Sequence, residues 1–271
     1  MSESFDLEQI RQYLNRDCEL FLFEKTDSTN EQALLKVKQG CALPLACFAE
    51  EQTQGRGRRG KVWVSPPGAS IYLSLAWKFD LSVNDLGCLS LAIGVAVARV
   101  LKNIGVRQVA LKWPNDVLID DKKIAGILIE TSQLTNKTTT VIIGIGLNFK
   151  LPDQLLDMLD QPCTDIVSSL DTTLSLEKKV GRNRIASLLL QECITVCERF
   201  ELARQELILE YQQYDICLRQ EVDVYLEDAP SMQGVVVGFE PDGEIRIRIN
   251  DKDRLFNSAD ISLRRAGNAN D

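Results

Sequence analysis

Residues 55–66 read GRGRRGKVWVSP, and the reading of this stretch decides the fold. Gly55-Arg56-Gly57-Arg58-Arg59-Gly60 has the form G-x-G-x-x-G, which in a dinucleotide-binding fold opens a helix whose N-terminus holds a pyrophosphate. Here Lys61-Val62-Trp63-Val64-Ser65 follows, which is strand-like, and Pro66-Pro67 forbids a helix beyond it. A Rossmann reading is excluded, and no G-x-x-x-x-G-K-[ST] phosphate loop occurs elsewhere. What remains is a group of cations (Arg56, Arg58, Arg59 and Lys61) on a backbone that glycines leave free to turn. Arginines and free N–H groups on such a backbone make an anion clamp. A solvated turn needs neither, and an RNA-binding RG segment would be repeated in a basic chain. Lacking packing and carrying like charges, the loop is expected to be mobile until a ligand orders it.

Outward from the loop, helical and strand patterns alternate. Residues 29–39 (TNEQALLKVKQ) read as a helix, with Ser28-x-x-Glu31 as a capping box at its start. Residues 45–49 read as a buried strand entering the loop, and 62–64 and 71–77 as strands leaving it. Residues 86–104 read as a core helix, apolar almost all round. Strands are expected at 108–113, 117–120, 124–130 and 139–148, with a hairpin about Asp121-Lys122, and then a helix from Arg182 to about Gln220. After that the period changes to two. Five short strands, two of them joined by the turn Pro241-Asp242-Gly243, suggest a small β-barrel. The expected class is α/β (α+β), a mixed sheet over residues 1–217 followed by a barrel over 218–271.

Composition excludes much chemistry. The 271 residues carry 31 Lys and Arg against 39 Asp and Glu, a net charge of −8 that argues against nucleic acid as a partner. There is no histidine, which removes Ser-His-Asp and Cys-His catalysis and every imidazole metal site. The eight cysteines form no C-x-x-C pair and read as buried thiols. The start MSESFDLEQI is acidic and polar, unlike a signal peptide, and the uncharged apolar run 86–98 is too short to span a bilayer. No membrane association is expected, and free thiols suit the cytoplasm.

Two further segments carry chemistry. In Lys112-Trp113-Pro114-Asn115-Asp116, Pro114 stops a strand and leaves Asn115 and Asp116 at a turn. Lys123 enters the apolar run Ile124-Ala125-Gly126-Ile127-Leu128-Ile129, and its amine either snorkels outward or points into a pocket. In Val141-Ile142-Ile143-Gly144-Ile145-Gly146-Leu147-Asn148 the two glycines share one strand face, against which either a ligand or a helix packs closely. Asn148, at the strand's end, has the groups to read an adenine edge.

GRGRRGKVWVSP at 55–66, KWPNDVLIDDKKIAGILIE at 112–130 and IIGIGLN at 142–148, with Ser28-Thr29-Asn30, together resemble the biotin–protein ligases of the bacterial type over about residues 20–265. The resemblance implies a mixed α/β catalytic domain followed by an SH3-like barrel. It implies a reaction in which biotin and ATP, with Mg2+, give biotinyl-5′-AMP and pyrophosphate. The biotinyl group then passes to one lysine of a biotin carboxyl carrier protein. It also implies biotin contacts at Ser28, Thr29, Asn30, Gln52, Arg56, Gly57 and Arg58. Lys123 corresponds to the family's essential biotin-site lysine and Asp116 to its motif aspartate; with Arg58 these are the expected catalytic residues. Arg58, Trp63, Lys112, Asn115 and Asn148 fall near the nucleotide. ATP and biotin are then substrates, and no tightly bound prosthetic group is called for. Biotin's own carboxylate attacks the α-phosphate, so the chemistry suits a protein without histidine. Only some 20 residues precede the catalytic segment, so the monofunctional type without a DNA-binding domain is expected. A lipoate or octanoate ligase, and a binding module without turnover, are the competing readings. An exposed β-edge would serve either a homodimer or the carrier.

Overall fold

The structure, a computed structural model, describes residues 3–135, 137–156, 159, 161–170, 181–226 and 230–266. A short α1 (Leu7–Arg11) leads into β1 (Glu19–Thr26), α2 (Thr29–Lys38), β2 (Leu45–Gln52) and β3 (Ser70–Phe79). Then come α3 (Leu89–Asn103), β4 (Val109–Lys112), β5 (Asp116–Ile119), β6 (Lys122–Leu134) and β7 (Thr139–Asn148). These strands form one sheet in the order β1-β2-β3-β7-β6-β5-β4. Only β1 and β2 run parallel, and every other neighbouring pair is antiparallel, so the sheet is mixed as expected.

β3 and β7 lie centrally and are buried along nearly their whole length, which is why SIYLSLAW and VIIGIGL read as apolar runs rather than alternating ones. α3 is apolar all round because it lies between the sheet and α6 (Arg182–Tyr214), a helix of 33 residues. Arg99 of α3 ties the two helices by donating to Glu192 and Glu210. The segment Val83–Asn103 is long and apolar enough to cross a membrane, but 67% of its apolar window is buried inside this fold. Two single turns, α4 (Asp153–Leu156) and α5 (Ile166–Ser169), follow β7.

α6 is anchored at its start by Arg182, whose side chain is fully buried. Its guanidinium donates to Glu50 Oε2 at 2.6 Å and Ser70 O at 2.7 Å and stacks 3.7 Å from the Phe5 ring. The helix stops at Tyr214, short of the expected residue 220. Asp215 Oδ1 accepts from the N–H groups of Cys217 and Leu218, turning the chain, and Ile216 N then donates to Leu111 O on the outer edge of β4.

The last strands, β8 (Glu221–Leu226), β9 (Met232–Phe239), β10 (Ile245–Ile249), β11 (Lys252–Phe256) and β12 (Ile261–Arg265), form an antiparallel sheet in the order β11-β10-β9-β8-β12. Among the described residues no pairing closes it into a barrel. It abuts the larger sheet through Trp113, whose indole N–H donates to Gly243 O at 3.1 Å in the β9–β10 turn. There Gly87 and Gly243 lie back to back. A Cβ on Gly87 would stand 2.1 Å from Asp242 O, and one on Gly243, whose φ is +88°, would stand 2.7 Å from Cys88 Cα.

Residues 62–64 do not form a strand. The loop instead closes on itself, with Gly57 N donating to Lys61 O and Trp63 N to Gly55 O, and Val62 is left exposed. Trp63 is turned inward, and this inward turn takes the segment out of the sheet.

Candidate active site

A cavity of about 290 Å³ opens beneath the glycine–arginine loop, and its two ends differ chemically. At one end, α2 thrusts its first turn against the sheet, burying Thr29 and Asn30. Gln52, the last residue of β2, accepts from Thr29 N at 2.8 Å and Thr29 Oγ1 at 3.1 Å, and its amide donates to Ser65 Oγ at 2.9 Å. Ser74 of β3 shares its one hydroxyl hydrogen between Thr29 Oγ1 at 2.7 Å and Asn30 Oδ1 at 2.5 Å. Asn30 Nδ2 in turn donates to Glu130 Oε2 at 2.7 Å. Thr29, Asn30, Gln52 and Ser74 thus hold one another in a connected network, which makes this end rigid.

The expected capping box is not formed. Ser28 is the N-cap residue by position, but its hydroxyl makes no cap bond and lines the cavity. The Asp27 carboxylate takes the Ser28 N–H instead, at 2.6 Å. Glu31 faces Arg56 Nη1 at 2.8 Å, and Arg56 Nη2 reaches Glu130 at 3.0 Å. Arg56 is thus held between two carboxylates.

The other end is charged. The β4–β5 turn carries Asn115, which is clamped to β6 by two bonds: Asn115 Nδ2 donates to Ile127 O and Ile127 N donates to Asn115 O, both at 3.0 Å. A register shift between Val117 and Leu118 re-aims the start of β6. Lys123 turns inward there, 14% exposed, with Nζ 2.7 Å from Asp116 Oδ1 and 5.5 Å from the Trp63 ring centroid. The pocket-facing alternative for this lysine is the one realised. Lys112 lines the same cavity.

Between the ends runs an apolar floor. A Cβ on Gly144 would fall 2.2 Å from Asn30 Oδ1, and one on Gly146 only 2.4 Å from Trp63 Cε2. On the paired position of β6, a Cβ on Gly126 would come within 3.0 Å of Trp63 Cζ3. Gly144 therefore makes room for Asn30 at the start of α2, the close helix packing that was one of the two alternatives, while Gly126 and Gly146 make room for the Trp63 indole. Trp63 Nε1 is buried there without a hydrogen-bond partner.

Arg58 and Arg59 reach across to the C-terminal sheet. Arg58 Nη2 donates to Ser258 O at 2.7 Å and Nη1 to Asn115 Oδ1 at 3.4 Å. Burial lowers the Arg58 pKa from the ordinary arginine value, and the Arg59 cation adds to this. Ser258 and residues 261–264 line the same cavity, so the loop has a packing partner that the sequence did not show.

Asn148 does not join the cavity. Its amide donates to Thr164 O at 3.0 Å and its oxygen accepts from Ser70 Oγ at 3.2 Å, which fixes the end of β7. Ser74 and Glu130, which hold Thr29 and Asn30 at the polar end, are the neighbours that sequence reasoning missed; a lone serine inside IYLSLAW was the available signal. Among the described residues no group of three His, Cys, Asp or Glu could hold a metal ion.

Residues 22–148 match the model of the biotin/lipoate A/B protein ligase family. The bifunctional ligase/repressor BirA of Escherichia coli is 32% identical over 247 residues, covering 89% of this chain and 72% of that protein. The biotin–[acetyl-CoA-carboxylase] ligase of Mycobacterium tuberculosis is 30% identical over 248 residues, covering 90% and 88%. Among solved structures, the Aquifex aeolicus biotin protein ligase in complex with biotin and ATP superposes with a TM-score of 0.66 at 25% identity, over 92% of this chain and 99% of that one. Sequence, fold and cavity agree: the chain belongs to the biotin/lipoate A/B protein ligase family.

Proposed function

We propose that the protein is an ATP-dependent biotin–protein ligase. A biotin carboxylate oxygen attacks the α-phosphorus of ATP, the bond to the bridging oxygen breaks, and pyrophosphate leaves. The lysine amine of a carrier protein then attacks the acyl carbon of biotinyl-5′-AMP. AMP departs, the amine gives up a proton, and an amide remains.

The observation that carries this reading is the cavity with a polar end, an apolar floor and a cationic end. The ureido ring needs donors and acceptors, which Ser28, Thr29, Asn30 and Gln52 supply. The alkyl chain needs a smooth apolar channel, which Gly126, Gly144, Gly146 and the Trp63 ring form. The carboxylate needs a cation at the channel's far end, where Lys123 stands held by Asp116. Arg58, with Lys112 and Asn115 beside it, faces the side on which the phosphates would lie; Arg56 and Gly57 shape the loop above. Mg2+ enters with ATP as part of the substrate complex. Catalysis on this scheme is alignment and charge neutralisation, with no side-chain nucleophile. A lipoyl or octanoyl tail would leave the Thr29–Gln52–Ser74–Asn30 network facing hydrocarbon, which disfavours that substrate.

The carrier belongs to this proposal, as the relatives named for acetyl-CoA carboxylase suggest. The eight free cysteines fit a reducing compartment such as the cytoplasm. ATP–pyrophosphate exchange, run with biotin, lipoate, octanoate and no acid, tests the reading. Exchange dependent on biotin alone is expected. Exchange with lipoate or octanoate moves the chain to the neighbouring activity, and silence with all three overturns the enzyme reading.

A further inference from the structure

The C-terminal sheet touches the glycine–arginine loop through a contact that the reaction scheme does not use. Arg59 lies at φ +53°, a left-handed conformation unusual for a residue with a side chain, next to Gly60 at +72°. From there a single nitrogen, Nη2, donates to Ala259 O at 2.7 Å and to Ile261 O at 3.1 Å. With the Arg58 bond to Ser258 O, adjacent arginines thus satisfy three carbonyls at the entry to β12. β12 is an edge strand of its sheet, so these carbonyls would otherwise face solvent or a foreign strand.

All three acceptors are neutral, and this has an electrostatic consequence. Arg56 is countered by Glu31 and Glu130, whereas the groups that hold Arg58 and Arg59 are uncharged carbonyls, and the acid that acts on Arg58, Asp116, is already paired with Lys123. The loop is held in place while remaining attractive to an anion. A salt bridge would also have fixed it, but would have cancelled the charge.

We propose that Arg59 is a positioning residue: by docking on the Ala259 and Ile261 carbonyls it fixes the loop against β12 and so presents Arg58 at the cationic end of the cavity. The inference rests on the ligase reading for its kinetic part and on geometry alone for the docking. It gives the C-terminal sheet a working role, since β12 supplies the fixed wall that the loop lacks in its own part of the chain. Displacing an aligned group by about 1 Å costs up to about 100-fold in rate, so undocking the loop is expected to lower kcat by roughly 10- to 100-fold.

The test compares wild type with Arg59→Gly, Arg59→Asn and Arg59→Lys. Glycine and asparagine both accept the left-handed backbone and neither reaches β12, so they separate docking from backbone strain. Lysine retains a donor long enough to bond both carbonyls. The expected result is a fall in kcat for biotin-dependent exchange in the Gly and Asn variants, with the KM for biotin within about threefold, and recovery of most of kcat in the Lys variant. Amide hydrogen exchange should quicken together at residues 55–61 and 258–264 in the Gly and Asn variants and return towards wild type in the Lys variant. Wild-type kcat in folded Arg59→Gly, or exchange protection unchanged in both segments, overturns the proposal. If wild type itself shows no biotin-dependent exchange, the ligase reading has failed. Hydrogen exchange then decides the docking by itself: paired loss of protection upholds it and unchanged protection sinks it.

Discussion

Lys123 Nζ and Asp116 Oδ1 stand 2.7 Å apart on neighbouring strands, both largely shielded from solvent. The register shift in β5 brings them together, and the pair holds a cation at the end of the apolar channel. Replacing Lys123 with alanine removes that preorganised charge and leaves Asp116 unpaired. Biotin-dependent pyrophosphate exchange is expected to fall by roughly 10²–10³-fold, the usual loss for one such donor. Lys123→Arg should restore it only in part, because a larger, rigid fork does not reproduce the compact ammonium that stands 2.7 Å from Asp116 in a largely buried place. Near-wild-type turnover in Lys123→Ala would remove Lys123 from the mechanism.

Gly144 tests the polar end. Its missing Cβ leaves room for Asn30 Oδ1, and Asn30 cannot retreat while Ser74 and Glu130 hold it. Gly144→Ala is expected to raise the KM for biotin by about tenfold or more, equivalent to about 1.4 kcal/mol. Isothermal titration with biotin alone checks this; an unchanged dissociation constant would show that Asn30 does not face the ligand.

Arg182 concerns stability. Its removal leaves Glu50 and the Ser70 carbonyl without their buried donor, and Arg182→Ala should cost about 3–5 kcal/mol in urea unfolding. Because the pair lies away from the cavity, activity per folded molecule should hold. A cost below about 1 kcal/mol would mean that water reaches Glu50.

Asp215 sets a pH dependence. Burial pushes its carboxyl up to about 6, against an ordinary value near 3.8, although Tyr211 and two backbone N–H groups donate to it. The folded protein therefore binds the extra proton between these values. This contribution to stability is complete below the unfolded value and is lost as pH rises towards 6, opposite to an ordinary salt-bridged aspartate. Between pH 5 and pH 7.5, wild type should lose about 1 kcal/mol more than Asp215→Asn. Parallel profiles for the two proteins would contradict the shift.

Strands β2 to β7 of the larger sheet were legible because they are apolar runs bounded by glycine, proline or acidic turns. β1 was missed: it is an edge strand whose ELFLFEKT leaves most of its side chains exposed or half-exposed. The motif segments gave the family, and they converge on one cavity. Other features were hidden for physical reasons. Residues 62–64 have strand composition, but Trp63 gains more by covering Gly126 and Gly146 than a ladder would give it. The Ser28–Glu31 capping pattern was present, yet Asp27 and Arg56 are stronger partners for the same groups. Asn148 had the right chemistry for a base edge, and only tertiary structure reveals Thr164 and Ser70 already bound to it. The contribution of residues 258–264 was invisible, because backbone carbonyls carry no sequence signal.

The glycine-to-glycine contact between Gly87 and Gly243 bears on inheritance. Neither position tolerates a side chain, and the surfaces meeting there belong to stretches more than 150 residues apart. A drift at one demands a matching retreat at the other, so the two sheets cannot be exchanged independently between relatives. A hybrid joining this larger sheet to a foreign C-terminal segment would fold as two parts with a gap or a clash between them, unless both glycines and the Trp113 bond to Gly243 travelled together.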